Sequence, residues 1–223
     1  NLKMPDGTLH LALVLARVNH AKVKKVDFSE AEKISGYVQA ITYKDVKGTN
    51  RVSLPSGMAR CIADGVERPI LTEDTVYRYG DCIAIIAATS RREARDAAAK
   101  VKVEYELLPE YMNGLDAIAE DAEPIHYFPN LYAEAPLITG DAVKAMEEAE
   151  YVVEGSYYTQ RHPHLVIEPE TALSYIDEEG RVTVQSKSLD IAIAKYSLTD
   201  GLGVPEEKIR IILNHTYFFL WYT

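Results

Sequence analysis

Residues 82–107 constrain the fold more tightly than any other stretch of this chain. Cys82 to Ala88 is an almost unbroken apolar run, the composition of a strand covered on both faces. Ser90 and Glu93 follow at capping-box spacing, which ends the strand and starts a helix. The residues up to Lys100 are rich in Ala, Arg and Glu, all good helix formers. Lys102 to Leu107 then alternates polar and apolar side chains, and Pro109 stops it. A strand–helix–strand unit is predicted, and with it a mixed fold.

Upstream, Leu9, Leu11, Leu13 and Leu15 alternate with smaller or polar neighbours, which predicts a strand with a leucine face buried in the core. Lys22 to Phe28 reads as a second strand. Ser29 and Glu32 predict a short capped helix through Ile34, and Gly36 to Tyr43 a further strand. Residues 44–75 are punctuated by Asn50, Pro55, Gly57, Asp64, Gly65 and Pro69, so loop with short strands is expected. Pro109, Pro124, Pro129 and Pro136 mark a long connector with one short helix near Asp116 to Glu120. Beyond it, Asp141 caps a predicted helix through Glu150, and Tyr151 to Gln160 reads as a strand. Thr171–Ile176 and Val182–Ser186 form a hairpin around Asp177–Gly180. Ser188 caps a helix from Leu189 toward Leu202, stopped by Gly201 and Gly203, and Ile209–Leu213 is a final strand.

Composition narrows the function. The 223 residues, 47% hydrophobic, suffice for a sizeable core. A formal net charge of -10 opposes binding to phosphate backbones and to anionic membranes. No stretch is apolar enough for a membrane-spanning helix. Cys61 and Cys82 form no Cys-x-x-Cys pair. They read as reduced, half-buried thiols, too few for a four-thiolate iron–sulfur cluster. Asn1 is not an initiator Met and no signal segment follows it, so a start inside a longer chain and a cytoplasmic location are expected.

Candidate chemistry is sparse. His162 and His164 flank Pro163 and could share a metal from one strand face, but no third ligand is spaced nearby, so a pair of structural or surface imidazoles is expected. Glu168 and Glu170 straddle Pro169 and lack the further element that paired acids need. No phosphate-binding glycine loop or nucleophile elbow occurs. At the end of the chain, Tyr217, Phe218, Phe219, Trp221 and Tyr222 surround Leu220 in a chain that is only 9% aromatic. Residues 215–223 are therefore read as an atypical aromatic tail, open to self-association.

Several stretches together resemble a known family. They are Met4-Pro5-x-Gly7-Thr8-Leu9-His10-Leu11-Ala12, Lys44-Asp45-Val46-Lys47-Gly48, Arg68-Pro69-Ile70-Leu71 and Tyr79-Gly80-Asp81-Cys82-Ile83-Ala84. Ala97-Ala98-x-Lys100-Val101-x-Val103 running into Leu107-x-Pro109, Pro163-His164 through Ile167-Glu168-Pro169, Ser186-Lys187-Ser188 and Gly203-Val204-Pro205 continue the series in order. Over residues 1–213 the chain resembles the molybdenum-binding part of the xanthine dehydrogenase and aldehyde oxidoreductase family, and is most similar to its bacterial single-chain aldehyde oxidoreductases. The resemblance implies an α+β fold: an α/β hammerhead domain over 1–108, a connector over 109–136, and the N-terminal part of the molybdenum-cofactor-binding domain over 137–214. It also implies oxidation of an aldehyde and water to a carboxylic acid at a molybdopterin cytosine dinucleotide centre. A glutamate acts as base there, and electrons leave through two [2Fe–2S] clusters.

The departures shape the expectation. After Leu213-Asn214 the family carries Pro, a small residue and a Gly-Gly-x-Phe-Gly loop, where this chain reads His215 to Thr223 with bulky side chains. The family's general-base glutamate and its iron–sulfur domains have no counterpart. The chain is thus expected to be a truncated fragment, inactive alone, with no catalytic, cofactor-binding or metal residue assigned. Lys187 would stand near the active-site wall of the parent. The expected partners are the iron–sulfur domains and the rest of the molybdenum domain. The alternatives are a non-catalytic assembly or binding module and a fragment of a purine or heteroaromatic hydroxylase.

Overall fold

The predicted strand–helix–strand unit forms at the centre of the first half. In the computed structural model, which describes residues 4–52, 68–126, 128–131, 139–160, 162, 171–186 and 191–213, β1 (His10–Leu15) and β3 (Tyr37–Ile41) flank β7 (Cys82–Ala88) in an antiparallel sheet. A second sheet places β2 (Ala21–Asp27) between β6 (Thr75–Val76) and β8 (Lys102–Leu107), and β4 (Arg51–Val52) pairs with β5 (Arg68–Pro69). Helix α1 (Arg91–Lys100) lies against β1 and β7. Ser90 caps it by accepting from the Glu93 N–H at 3.3 Å, and the Glu93 carboxylate accepts from the Ser90 and Thr89 hydroxyls. Those hydroxyl bonds hold the Glu93 carboxyl below its usual range. The core between the layers is built from Val14, Ala16, Ile83, Ala84, Ile86 and Ala97, with Val26, Phe28 and Val103 packed against it.

The leucine row of β1 faces the wrong way for the sequence reading. Leu11 and Leu13 are 61% and 55% exposed, whereas Val14 and Ala16 are at 7% and 0%. The alternation set the period correctly but not which face is inside. Ala94 and Ala97 bring α1 close to the sheet, and close approach selects small partners, so the leucines turn outward. Leu13→Lys should accordingly change the unfolding free energy by no more than about 0.5 kcal/mol, measured by denaturant unfolding.

Other elements differ at their limits. The predicted helix at Ser29–Ile34 is a run of turns. Its one capping box cannot offset the cost of so short a nucleus, and the Ser29 N–H is taken by Asp27 at 3.0 Å. The connector's helix, α2 (Gly114–Ala117), starts earlier than expected because Asn113 caps it. Asp141 does cap α3 (Ala142–Glu147), which ends at Glu147 rather than Glu150. Tyr151 to Gln160, read as a strand, joins no ladder.

The connector is fastened to the first unit by stacked rings. His20 is nearly buried, with Nδ1 2.5 Å from the Pro109 carbonyl oxygen. Tyr77 stacks on His126 at 4.5 Å, and His126 on Phe128 at 4.9 Å and 6°. Asn130 then ties the connector to itself, donating to Ala117 and Glu123 carbonyls and accepting from Ile125. Burial, with a smaller contribution from His20, pushes the His126 pKa below its ordinary value of 6.5. A depressed histidine binds its proton more readily when unfolded, so its contribution is complete above about pH 6.5 and fades as pH falls through that value. Amide exchange around His126 should therefore accelerate, relative to its intrinsic rate, between pH 7 and pH 5. An unchanged protection factor contradicts this.

In the second half, β9 (Ala172–Ile176) pairs antiparallel with β10 (Val182–Ser186), and β10 pairs parallel with β11 (Ile209–Leu213). Helix α4 (Ile191–Leu202) makes the crossover that a parallel pair requires. The hairpin and the final strand lie where the sequence placed them. The expected Ser188 cap falls outside the described residues.

Candidate functional site

Only one parallel strand pair occurs among the described residues, and its carboxyl end is the place where such an arrangement accepts a ligand. Ser186 and Leu213 are register partners there. The chain continues from them into 187–190 and 214–223, so Lys187 and the aromatic tail lie outside the described residues.

Gln185 stands one residue before this edge. Its Nε2 donates to the Tyr175 hydroxyl at 2.9 Å, while Oε1 is buried and without a partner. Such an atom forfeits about 1–3 kcal/mol unless something meets it, so it is a feature to explain. Sequence reasoning missed Gln185. The available signal was an amide at the end of an otherwise small and apolar strand, Val-Thr-Val-Gln-Ser.

The opposite end of the pair is fixed by Asp177. Its carboxylate accepts from the Arg181 and Glu179 N–H groups, the Arg181 guanidinium and the Thr183 hydroxyl, and Arg210 lies at 3.8 Å. The backbone N–H of Arg181 leads the causes that take its pKa to about 2, below the ordinary 3.8. The stabilisation is therefore complete above about pH 4 and is lost as pH falls toward 2.

A seam joins this unit to the first one. The Thr49 and Asn50 N–H groups donate to the Asp200 and Gly201 carbonyls at the end of α4, each at 3.1 Å. Gly203, at φ +69°, ends the helix by donating to Thr199 at 3.0 Å. A Cβ on Gly48 would come within 2.6 Å of three backbone atoms of residues 200, 201 and 203. Asn50, 4% exposed and at φ 57°, uses both ends of its amide on the Leu71 backbone, at 2.8 and 3.0 Å. Arg51 grips Glu73 through two bonds of 2.6 and 3.0 Å, and the guanidinium holds the Glu73 carboxyl below its usual range. The seam places the β10–β11 edge relative to the first unit.

Of the residues singled out in the sequence for their chemistry, only His162 and Cys82 are among the described residues. His162 is exposed, while Cys61, His164, Glu168 and Glu170 lie outside the described residues. Among the described residues no group of three or more His, Cys, Asp or Glu side chains could hold a metal ion. Cys82 is a free thiol whose pKa burial pushes up to about 11, so it is protonated near neutral pH and unsuited to nucleophilic attack or metal ligation. No helix among the described residues is long and apolar enough to cross a membrane.

Comparison with known proteins agrees with this geometry. Residues 1–109 match the family model described as aldehyde oxidase and xanthine dehydrogenase, a/b hammerhead domain, and residues 125–216 match the molybdopterin cofactor-binding domain. An aldehyde oxidoreductase of Megalodesulfovibrio gigas is 44% identical over 96% of this chain, which spans 24% of that protein. The nicotinate dehydrogenase large molybdopterin subunit of Eubacterium barkeri is 32% identical over 93% of this chain, which spans 47% of it. The structure of the Desulfovibrio gigas aldehyde oxidoreductase superimposes on 95% of this chain with a TM-score of 0.88 at 43% identity, over 24% of its own length.

Proposed function

The chain belongs to the aldehyde oxidase and xanthine dehydrogenase family, and we propose that it serves as the hammerhead and opening cofactor-domain portion of a molybdenum-dependent aldehyde oxidoreductase. The observation that carries this reading is the parallel β10–β11 edge with the unpartnered amide end of Gln185 beside it, inside a region 44% identical to an aldehyde oxidoreductase. Aldehydes are preferred over nicotinate or purines because relatives named for those substrates are less similar, at 32% for nicotinate and 26–30% for xanthine.

In this reading residues 1–108 form the hammerhead, 109–136 the connector and 137–214 the start of the cofactor domain. The described residues fit a polar group at the β10–β11 edge, and in this reading the pterin rather than the protein would carry the molybdenum. Gln185 would meet a polar atom of the bound cofactor, and Tyr175 would hold its amide plane. When bound, the molybdopterin cytosine dinucleotide centre supplies the redox chemistry by which an aldehyde and water give a carboxylic acid, two protons and two electrons. The electrons would leave through two [2Fe–2S] clusters on other parts of the enzyme. The seam would keep the edge in place. The base, the clusters and the loops that close the site would come from polypeptide that this chain spans only in part, in the cytoplasm.

The chain by itself is then expected to be catalytically silent. Metal analysis and an aldehyde-dependent dye-reduction assay on the purified 223-residue protein test this. Stoichiometric molybdenum with aldehyde turnover would overturn it.

A further inference from the structure

Residues 151–160 have the composition of a strand and no strand beside them among the described residues. Tyr, Val and Thr dominate the stretch, Tyr-Val-Val-Glu-Gly-Ser-Tyr-Tyr-Thr-Gln, and all favour pleated pairing. All ten residues are exposed, Val153 at 94% and Tyr157 at 95%, and none takes part in a ladder. Helix α3 just before it turns Val143 and Met146 outward, and with Val152 they line an open apolar groove. A surface with unpaired backbone groups and bare aromatic rings is a template for an added strand.

Its surroundings indicate what it pairs with. Glu147, Glu150 and Glu154 are exposed around the segment, and every copy of the chain carries a net charge of -10, which opposes pairing between two copies. The Desulfovibrio gigas enzyme shares this fold over 95% of the chain, yet the match occupies only 24% of its length. Three quarters of that enzyme is therefore available to cover the segment. We propose that residues 151–160 dock as a strand onto an open sheet edge in the part of the molybdenum enzyme that lies outside this quarter, an edge with an apolar face and basic residues to meet the three glutamates. This rests on the family reading above and names the surface through which that assembly is made.

The test uses the tagged 223-residue chain co-expressed with the unmatched part of the Megalodesulfovibrio gigas aldehyde oxidoreductase. The two should co-purify, and amides 151–160 should exchange about a hundred-fold more slowly in the complex than in the chain alone. Val153→Pro should reduce recovery about ten-fold, because proline removes a ladder donor. It should leave the circular dichroism and melting temperature of the chain alone unchanged, since residue 153 has no ladder bond to lose. Failure to co-purify overturns the proposal, as does a complex in which 151–160 exchange freely or one that Val153→Pro leaves intact. Protection of 151–160 in a dimer of the chain alone also overturns it, in favour of self-pairing. A complex that retains molybdenum while leaving 151–160 unprotected refutes the strand and spares the family reading.

Discussion

Asn50→Ala is expected to lower the unfolding free energy by on the order of 4 kcal/mol, more than any exposed substitution in this chain. Two losses combine. Leu71 is 2% exposed, and its buried N–H and C=O would each lose their amide partner. Alanine would also have to adopt a φ near 57°, a left-handed conformation that costs it about 1–2 kcal/mol and that asparagine tolerates. For a domain whose net stability is roughly 5–15 kcal/mol, such a change leaves little margin at ordinary temperature. Equilibrium denaturant unfolding measures it. Asn50→Gly, which removes the amide but not the backbone freedom, should recover the conformational part alone. A loss below about 1 kcal/mol for Asn50→Ala would show that the amide does not anchor the Leu71 backbone.

Gly48→Ala is expected to cost about 3 kcal/mol and to divide the unfolding into two transitions. Gly48 is limited by space, not by its backbone angle: the added methyl would press on main-chain atoms at the end of α4, which cannot rotate away as a side chain would. Relief requires the two units to separate, which removes the Thr49–Asp200 and Asn50–Gly201 bonds. Hydrogen exchange at β7 reports on the first unit and at β10 on the second. In the parent sequence both should open together, and in Gly48→Ala the β10 amides should open at lower free energy. Coincident loss of protection in the variant would contradict the seam as the coupling element.

What could be read from the sequence was local. The β7–α1–β8 unit announced itself because an apolar run, a cap and a helix-forming segment are each specified within a few residues. The β9–β10 hairpin did so through the turn at Asp177–Gly180. The direction of burial in β1 and the pairing of residues 151–160 depend on distant contacts, and those two readings failed. The leucines of β1 kept their period and lost their assignment, because the alanines of α1 decide which face of the sheet is inside. Residues 151–160 had a strand's propensity but no strand to pair with among the described residues. Asn50 and Gly48 looked like ordinary loop punctuation; their importance lies in residues 71 and 200–203, far along the chain. Of the candidate site, the family motifs gave the region, but Gln185 emerged only once Tyr175 and the buried amide oxygen were seen together.

The most direct test of the functional reading is to replace the matched quarter of the Megalodesulfovibrio gigas aldehyde oxidoreductase with residues 1–213 and to measure molybdenum per protomer in the purified chimera. The account predicts about one molybdenum per protomer, as the cofactor-binding domain requires, with that occupancy reduced by Gln185→Ala. A folded, soluble chimera that carries no molybdenum would contradict it.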